Sequence, residues 1–167
     1  HQARAAALKA RLIKAGLLYA GRELGMDFEV EDGSTLATQI EKMGQQALAC
    51  VTDVADADAV RRLQNAILSR FGRLDYACNN AGIEGEMAPT ADSSLENFDR
   101  VIAVNLRGVY LCLRAELQIM VPQKSGAIVN IASVAGLVGF AGLPAYCASK
   151  GGVVELTRAV AVEYATK

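Results

Sequence analysis

The chain has 167 residues, of which 52% are hydrophobic and 21% are charged, a composition typical of one soluble α/β domain. Its 17 basic and 18 acidic residues give a formal net charge of -1, so no excess of positive charge indicates a nucleic-acid partner. The single histidine is His1, which excludes His-based catalytic triads and His-rich metal sites, and we expect no metal.

The cysteines and the hydropathy pattern bear on the compartment. No cysteine belongs to a CxxC pair, so we expect reduced, mostly buried thiols of a cytoplasmic protein rather than disulfides or metal ligands. The chain contains no run of about 18 apolar residues, and we expect no contact with a membrane. The four cysteines are Cys50, Cys78, Cys112 and Cys147.

Residues 1–32 form an atypical N-terminal segment. Its first 22 residues carry five basic side chains and no acidic one, which resembles a transit peptide. Serine is absent there and alanine dominates, so we favour a basic surface helix or a disordered leader. The chain starts with His1 rather than Met, as the start of a fragment would.

The first regular elements follow this segment. Apolar residues at helical spacing predict a helix over 34–44, ended by Gly44. A short apolar run over 47–51 predicts a buried strand that leads into Asp53. A second helix is predicted over 56–71, and Gly72 ends it.

The second half of the chain repeats this alternation. Strands are predicted over 74–78 and 126–132, and residues 95–120 predict helix in two pieces, a short one near 94–99 and a long apolar one after it. A glycine-rich loop covers 135–144, and the last helix covers 145–164.

Strands that alternate with helices of this length are typical of βαβ units around a parallel sheet. We therefore predict a Rossmann-like three-layer α/β/α fold with a mostly parallel sheet that is incomplete at both ends. Residues 33–167 form one partial domain of this type.

The last helix carries two chemically useful side chains. Tyr146 and Lys150 are four residues apart, which places them on one face of a helix, one turn apart. A nearby cation favours the phenolate form of a tyrosine, so Lys150 would make Tyr146 a usable proton donor and acceptor. The same spacing also occurs by chance on many helices.

Ser133 follows the strand predicted over 126–132. Ligands of open α/β sheets bind at the carboxyl ends of the strands, where a serine hydroxyl can donate a hydrogen bond to a substrate oxygen. Taken alone, Ser133 would be interpreted as a helix cap or a loop serine. The order Ser133, Tyr146 and Lys150, each after the appropriate element, favours the chemical interpretation.

Four motifs occur together in a fixed order. They are Asn79-Asn80-Ala81-Gly82, Val104-Asn105-Leu106-Arg107-Gly108, Ser133, and Tyr146-x-x-x-Lys150. This pattern resembles the short-chain dehydrogenase/reductase family in its form of roughly 250 residues, and the resemblance covers about residues 34–167. Alone, the first motif would be interpreted as a turn and Asn105 as a helix irregularity.

The resemblance implies hydride transfer between NAD or NADP and a secondary alcohol or ketone. It implies that Tyr146 is the general acid/base, that Lys150 binds the nicotinamide ribose and tunes Tyr146, and that Ser133 polarises the reacting oxygen. Asn105 would hold a water in a proton relay to Lys150. The cofactor-binding residues would be Asn79, Ala81, Gly82, Tyr146 and Lys150, with Asp53 and Val54 against the adenine.

The chain departs from the family pattern at its N-terminal end. The glycine-rich phosphate-binding turn should lie roughly 40 residues before Asp53, yet Gly16 and Gly21 flank the bulky run 17–20 instead. Residues 1–32 favour helix over a strand-turn-helix-strand unit. Asp27 is the candidate for binding the adenosine ribose hydroxyls and would favour NAD over NADP, although a surface acid is the interpretation that we favour for this residue.

At the other end, the chain stops at Lys167, before the family's remaining strands and substrate lobe. An altered reading frame upstream of about residue 30, together with a truncated end, would account for both departures. We accordingly keep a second hypothesis, a catalytically silent remnant that acts through association with partner subunits.

Association is expected under both hypotheses. In the family, the helices that correspond to 101–120 and 146–164 pair across subunits, which implies a homo-oligomer, a dimer or a tetramer. These helices could instead cover the sheet within one chain. A third hypothesis, a doubly wound binding domain without nicotinamide, does not explain the spacing of Ser133, Tyr146 and Lys150.

The substrate expected from the sequence is a small-molecule alcohol or ketone. Its choice depends on the loops 84–92 and 135–144. Met87, Phe140 and Leu143 suggest an apolar pocket wall there, and core packing explains each of them equally.

Overall fold

The computed structural model describes residues 33–167. Segment 1–32 lies outside the described residues, and with it Asp27 and the expected position of the phosphate-binding turn. The described helices are α1 (Gly33–Lys42), α2 (Ala57–Phe71), α3 (Leu95–Ile102), α4 (Gly108–Gln123) and α5 (Pro144–Tyr164), and the strands are β1 (Tyr76–Asn79) and β2 (Ala127–Asn130).

Residues at the two ends of helix α2 determine where it begins and where it ends. The Asp56 side chain accepts a hydrogen bond from the backbone N–H of Asp58 and caps the first turn. Gly72 adopts a left-handed conformation with φ of 73° and ends the helix, a conformation that glycine adopts without steric cost. The helix predicted over 56–71 is therefore confirmed.

Strands β1 and β2 pair in parallel. Tyr76 lies opposite Ala127, and Asn79 lies opposite Asn130. The helical stretch from α3 to α4 connects the two strands, as a parallel pair requires a long crossover. The predicted strands over 74–78 and 126–132 and the parallel sheet are confirmed, with slightly shorter bounds.

The prediction of a strand over 47–51 was wrong. These residues form no strand, and the Val51 side chain is fully exposed. A strand exists only where a neighbouring strand accepts and donates its backbone hydrogen bonds. The apolar run supplies suitable side chains, but no strand lies beside it in the part of the chain that the structure describes.

The predicted break in the long helical stretch is a π-helical turn. Residues Ala103–Arg107 continue from α3 into α4 with helical backbone angles. A π-turn inserts one residue into the helical repeat and turns the side chains that follow it. It therefore keeps one continuous helix from Leu95 to Gln123 while directing Asn105 inward.

The apolar core lies on both sides of α4. One cluster joins α2 to α4 and a second joins α4 to α5, and Ile128 of β2 contacts both. Adjacent side chains of a strand point to opposite faces, and the neighbour Val129 is 55% exposed. The helices thus cover one face of the sheet, and the opposite face is open among residues 33–167. The buried members are Leu63, Ile67, Leu74, Ile119 and Met120 in the first cluster, and Val109, Leu113 and Val153 in the second.

Candidate functional site

The candidate site lies at the carboxyl ends of β1 and β2. Asn79 is the last residue of β1, and Ser133 follows the end of β2 by three residues. Helix α5 starts at Pro144, a residue suited to the first turn of a helix, and carries Tyr146 and Lys150 one turn apart. The sequence therefore places the hydroxyl of Ser133, the phenol of Tyr146 and the ammonium group of Lys150 on neighbouring elements.

Lys150 is held between α5 and the end of β2. Its side chain is buried, and Nζ donates a hydrogen bond of 2.8 Å to the backbone carbonyl of Ile131. Nζ also lies 5.9 Å from the centre of the Tyr146 ring, within the range of a cation–π contact. Burial lowers the pKa of the Lys150 ammonium below its ordinary value, because removal from water disfavours the charged form.

Asn105 is fully buried, and every polar atom of its side chain has a partner. Its Nδ2 donates to the carbonyl of Ile83 at 2.8 Å and to Ser149 Oγ at 3.0 Å, and its Oδ1 accepts from the N–H of Ile83 at 2.8 Å. These bonds attach the π-turn to the chain that follows β1. The expected role of Asn105 in holding a water remains a prediction.

Ser149 is the site residue that the sequence analysis missed. It is fully buried, accepts the hydrogen bond from Asn105 and donates from Oγ to the backbone carbonyl of Tyr146 at 2.8 Å. It thereby connects the π-turn to the helix turn that carries Tyr146 and Lys150. The only sequence signal was its position directly before Lys150, since its partner lies 44 residues earlier in the chain.

Ser133 begins the 3-10 turn Val134–Gly136. Its Oγ accepts a hydrogen bond of 3.2 Å from the N–H of Ala135, so Ser133 caps this turn and its hydroxyl proton is not used in the bond. The expected contact of Ser133 with a substrate oxygen remains a prediction. Gly136 packs directly on α5, where a Cβ atom would lie 2.7 Å from the carbonyl oxygen of Lys150. This close approach keeps the Ser133 turn beside Lys150.

Gly82 lines the same site. A Cβ atom at this position would lie 3.3 Å from Asn105 Oδ1 and 3.5 Å from Lys150 Nζ. The absence of a side chain therefore lets the backbone of Gly82 lie close to both Asn105 and Lys150. Ala81 precedes it and is half-buried.

The side-chain amide of Asn79 forms hydrogen bonds with two other side chains of the protein. Its Nδ2 donates to Asn130 Oδ1 at 2.9 Å and to Glu116 Oε2 at 3.1 Å. Burial raises the pKa of Glu116 to about 7, although the hydrogen bond from Asn79 opposes this change. Burial, assisted by the charge of Glu116, likewise raises the pKa of the Cys112 thiol to about 12. The expected contact of Asn79 with a cofactor remains a prediction.

Asp53 and Val54 occupy different surroundings. Asp53 is exposed, and its carboxylate accepts a hydrogen bond of 2.9 Å from the N–H of Ala55 in a local turn. Val54 is buried against Gly108, where a Cβ atom would lie 2.9 Å from the valine side chain. A contact of either residue with adenine remains a prediction.

Three further features concern the described residues only. No group of His, Cys, Asp and Glu side chains among residues 33–167 could hold a metal ion. None of the described helices is long and apolar enough to cross a membrane. The four cysteines are free and half-buried, so they are less buried than the sequence predicted.

The sequence matches a known protein family over nearly the whole chain. The family model described as short chain dehydrogenase matches residues 10–167. The chain belongs to this family. The family match thus confirms the resemblance that the four motifs indicated.

Individual relatives are similar over parts of their length. Levodione reductase from Leifsonia aquatica is 48% identical over 119 residues, which cover 71% of this chain and 45% of the relative. The 3β-hydroxysteroid dehydrogenase from Mediterraneibacter gnavus is 39% identical over 98% of this chain and 57% of its own length. The chain therefore spans about half the length of these curated relatives.

The fold also matches solved structures. The crystal structure of NAD⁺-bound xylitol dehydrogenase has a TM-score of 0.80 and 28% sequence identity, and the match covers 92% of this chain and 66% of that one. The Rossmann-like fold class predicted from the sequence is therefore correct, in an open and incomplete form.

Proposed function

We propose that this chain supplies the proton-transfer and nicotinamide-binding residues of an oxidoreductase that interconverts a secondary alcohol and a ketone. The observation that carries the proposal is the position of Lys150, a buried cation bonded to the carbonyl of Ile131 just past the end of β2 and next to Gly82. Burial of a cation costs free energy, so a structure that keeps one at the carboxyl end of a strand favours a functional interpretation over a purely structural one.

The residues divide the chemistry between them. When bound, a nicotinamide cofactor exchanges a hydride with the carbon of an alcohol or carbonyl group. Tyr146 donates its phenolic proton to the carbonyl oxygen during reduction and takes a proton from the alcohol during oxidation. Ser133 donates a hydrogen bond to the same oxygen, keeps its own proton, and stabilises the negative charge that develops there. Lys150 stabilises the phenolate and binds the ribose hydroxyls of the cofactor.

The cofactor proposal is NAD in preference to NADP. Asp27 would accept hydrogen bonds from the adenosine ribose and repel a 2′-phosphate, and it lies outside the described residues. The xylitol dehydrogenase structure to which the chain is similar is NAD⁺-bound. A comparison of the affinities for NADH and NADPH, with Asp27→Asn as the variant, tests this preference.

The substrate proposal is a secondary alcohol on an apolar ring. The loops that flank the site expose large apolar side chains, with Met87 74% and Phe140 48% exposed. A backbone hydrogen bond of 2.9 Å from Ala88 to Gly142 joins the two loops. One matched relative is named for a hydroxysteroid, a molecule of this class.

We propose that two copies associate through α4 and α5 and that the chain acts in the cytoplasm, where its free thiols would stay reduced. Tyr110 on α4 and Val162 on α5 are 52% and 82% exposed, and apolar side chains of this size at the surface often mark an interface. Sedimentation of the wild type and of Val162→Asp tests this pairing, which predicts a dimer for the wild type and a monomer for the variant.

The alternative function is a catalytically silent remnant that acts only through such association. The observation that favours it is the sheet of residues 33–167, which has only two strands and one open face among those residues. Both functions predict association, and only the first predicts turnover.

The deciding experiment measures NADH oxidation by the purified chain with cyclohexanone as the probe ketone. The proposal predicts turnover in the wild type and its loss, by about 100-fold or more, in Tyr146→Phe. The matched control is Tyr164→Phe, which removes a phenol from the end of α5 and should keep full activity. Equal rates in Tyr146→Phe and the wild type would contradict the proposal, and absence of turnover in all three proteins would favour the remnant.

A further inference from the structure

Two buried asparagines hold the chain that follows β1. Asn97 of α3 is 4% exposed. Its Oδ1 accepts a hydrogen bond of 2.9 Å from the N–H of Glu86, and its Nδ2 donates one of 3.4 Å to the carbonyl of Glu86. Asn105 binds the N–H and the carbonyl of Ile83 in the same way. Each asparagine thus satisfies both backbone groups of one loop residue.

The π-turn places these two side chains on the same face of the helical stretch. Two α-helical turns take about 7.2 residues, whereas Asn97 and Asn105 are eight residues apart. The residue that the π-turn Ala103–Arg107 inserts accounts for the difference. Asn97 therefore faces the loop 84–92 for the same geometric reason that Asn105 faces the chain before it.

The loop that Asn97 holds carries the exposed side chain of Met87. Gly85 permits the close contact, because a Cβ atom there would lie 2.8 Å from Asn97 Oδ1. On the other side, Ala88 donates a hydrogen bond of 2.9 Å to the carbonyl of Gly142, and a Cβ atom at Gly142 would lie 2.9 Å from Met87 Cγ. Hydrogen bonds at both neighbouring residues thus fix the position of Met87.

The loop 135–144 connects this arrangement to α5. The N–H of Phe140 donates a hydrogen bond of 3.3 Å to Cys147 Sγ, and Cys147 directly follows Tyr146. The loop 135–144 therefore contacts both the loop 84–92 and the helix turn that carries the phenol. An apolar side chain that such bonds hold in a flanking loop is suited to contact a substrate.

We propose that Asn97 is a positioning residue that determines substrate selectivity by holding Met87 against the substrate. This role rests on the proposed function and concerns the substrate side of the same site. Alanine at position 97 would leave both backbone groups of Glu86 without their partner, so the loop would lose its fixed position while the reacting groups keep theirs. Aspartate would still accept from the Glu86 N–H, and Arg100 Nη2 lies 3.5 Å from the oxygen that it would retain.

Amide hydrogen exchange of the full-length chain, followed by NMR, tests whether Asn97 holds the loop. In Asn97→Ala the amides of Glu86 and Ala88 should exchange about tenfold or more faster than in the wild type. The amide of Ile83, which Asn105 binds, should keep its protection. Unchanged exchange at Glu86 and Ala88 would overturn the proposal.

Steady-state oxidation of NADH tests the effect on the substrate. In Asn97→Ala the KM for cyclohexanone should rise about tenfold, while kcat and the KM for NADH stay within about twofold. The KM for acetone, which has no ring to contact Met87, should stay unchanged. An equal rise for both ketones would contradict a role in selectivity.

Three further variants separate positioning from a purely structural role. Asn97→Asp should restore the wild-type KM and exchange rates. Ser94→Ala removes the cap of α3 and leaves the bonds to Glu86, so it should destabilise the helix without changing either KM. Met87→Ala should raise the KM for cyclohexanone as Asn97→Ala does, and the double variant should raise it no further.

The proposal stays testable if Asn97→Ala fails to fold. Met87 is 74% exposed, so Met87→Ala should fold, and an unchanged KM for cyclohexanone in this variant would overturn the proposal. Absence of turnover in the wild type contradicts the proposed function instead. The exchange rates of Glu86 and Ala88 then decide alone whether Asn97 positions the loop.

Discussion

Glu116 gives the folded protein a specific dependence on pH. Its carboxyl lies between α4 and β1, and its partner is the Asn79 amide at 3.1 Å. Burial raises its pKa from 4.5 to about 7. Below pH 4.5 both the folded and the unfolded chain hold the proton, and between pH 4.5 and 7 only the folded chain retains it. The free energy of unfolding therefore falls as the pH rises through this range.

The magnitude follows from the change in pKa. Each pKa unit corresponds to about 1.36 kcal/mol, so the change from 4.5 to about 7 sets an upper limit near 3 kcal/mol. The side chain is only half-buried by surface area, and solvent screening lowers the expected value to about 1–2 kcal/mol. The Cys112 thiol stays neutral below its pKa of about 12, and no cation pairs with Glu116 among residues 33–167.

The perturbation that isolates this effect is Glu116→Gln. Glutamine still accepts the hydrogen bond from Asn79 and cannot ionise. Urea unfolding at pH 4.5 and pH 8 should show the variant gaining about 1–2 kcal/mol relative to the wild type at the higher pH. Glu163→Gln, an exposed position on α5, is the matched control. A difference between variant and wild type that is the same at both pH values would refute the argument from burial.

Three further substitutions test the packing and capping of the site. Gly136→Ala places a methyl group 2.7 Å from a backbone carbonyl oxygen of α5, and it should lower the unfolding free energy by about 1–3 kcal/mol. Gly139→Ala meets nothing within 4 Å and serves as the control. Asn105→Ala leaves the N–H and C=O of Ile83 without their partner and should cost about 2–4 kcal/mol, so an unchanged thermal midpoint would contradict the assigned bonds. Asp56→Ala removes the cap of α2 and should cost about 1 kcal/mol in urea unfolding.

Local signals in the sequence accounted for most elements. The helix predicted over 56–71 differs from α2 by a single residue at its start, because Asp56 and Gly72 determine both ends through bonds within one turn. The incorrect prediction of a strand over 47–51 shows what local signals in a sequence cannot determine. The apolar residues of this segment are suited to a strand, but no strand pairs with them among residues 33–167.

Some residues of the candidate site could likewise be predicted from local sequence, and others could not. Tyr146 and Lys150 were predictable because both lie on one helix, and Ser133 because it follows a predicted strand. Ser149 was missed because its role depends on Asn105, which reaches it only after the π-turn directs that side chain inward. The burial of Glu116 could not be predicted from the sequence either, because it results from the packing of α4 on β1.

The central claim is that Lys150, Gly82 and their neighbours form a nicotinamide site. Calorimetric titration of the full chain with NADH tests it most directly. The account predicts binding with Kd in the micromolar range, about −8 kcal/mol, and at least about tenfold weaker binding for Gly82→Val, whose Cβ would lie 3.3 Å from Asn105 Oδ1 and 3.5 Å from Lys150 Nζ. Absence of binding at millimolar NADH, or equal affinity in the variant, would contradict it.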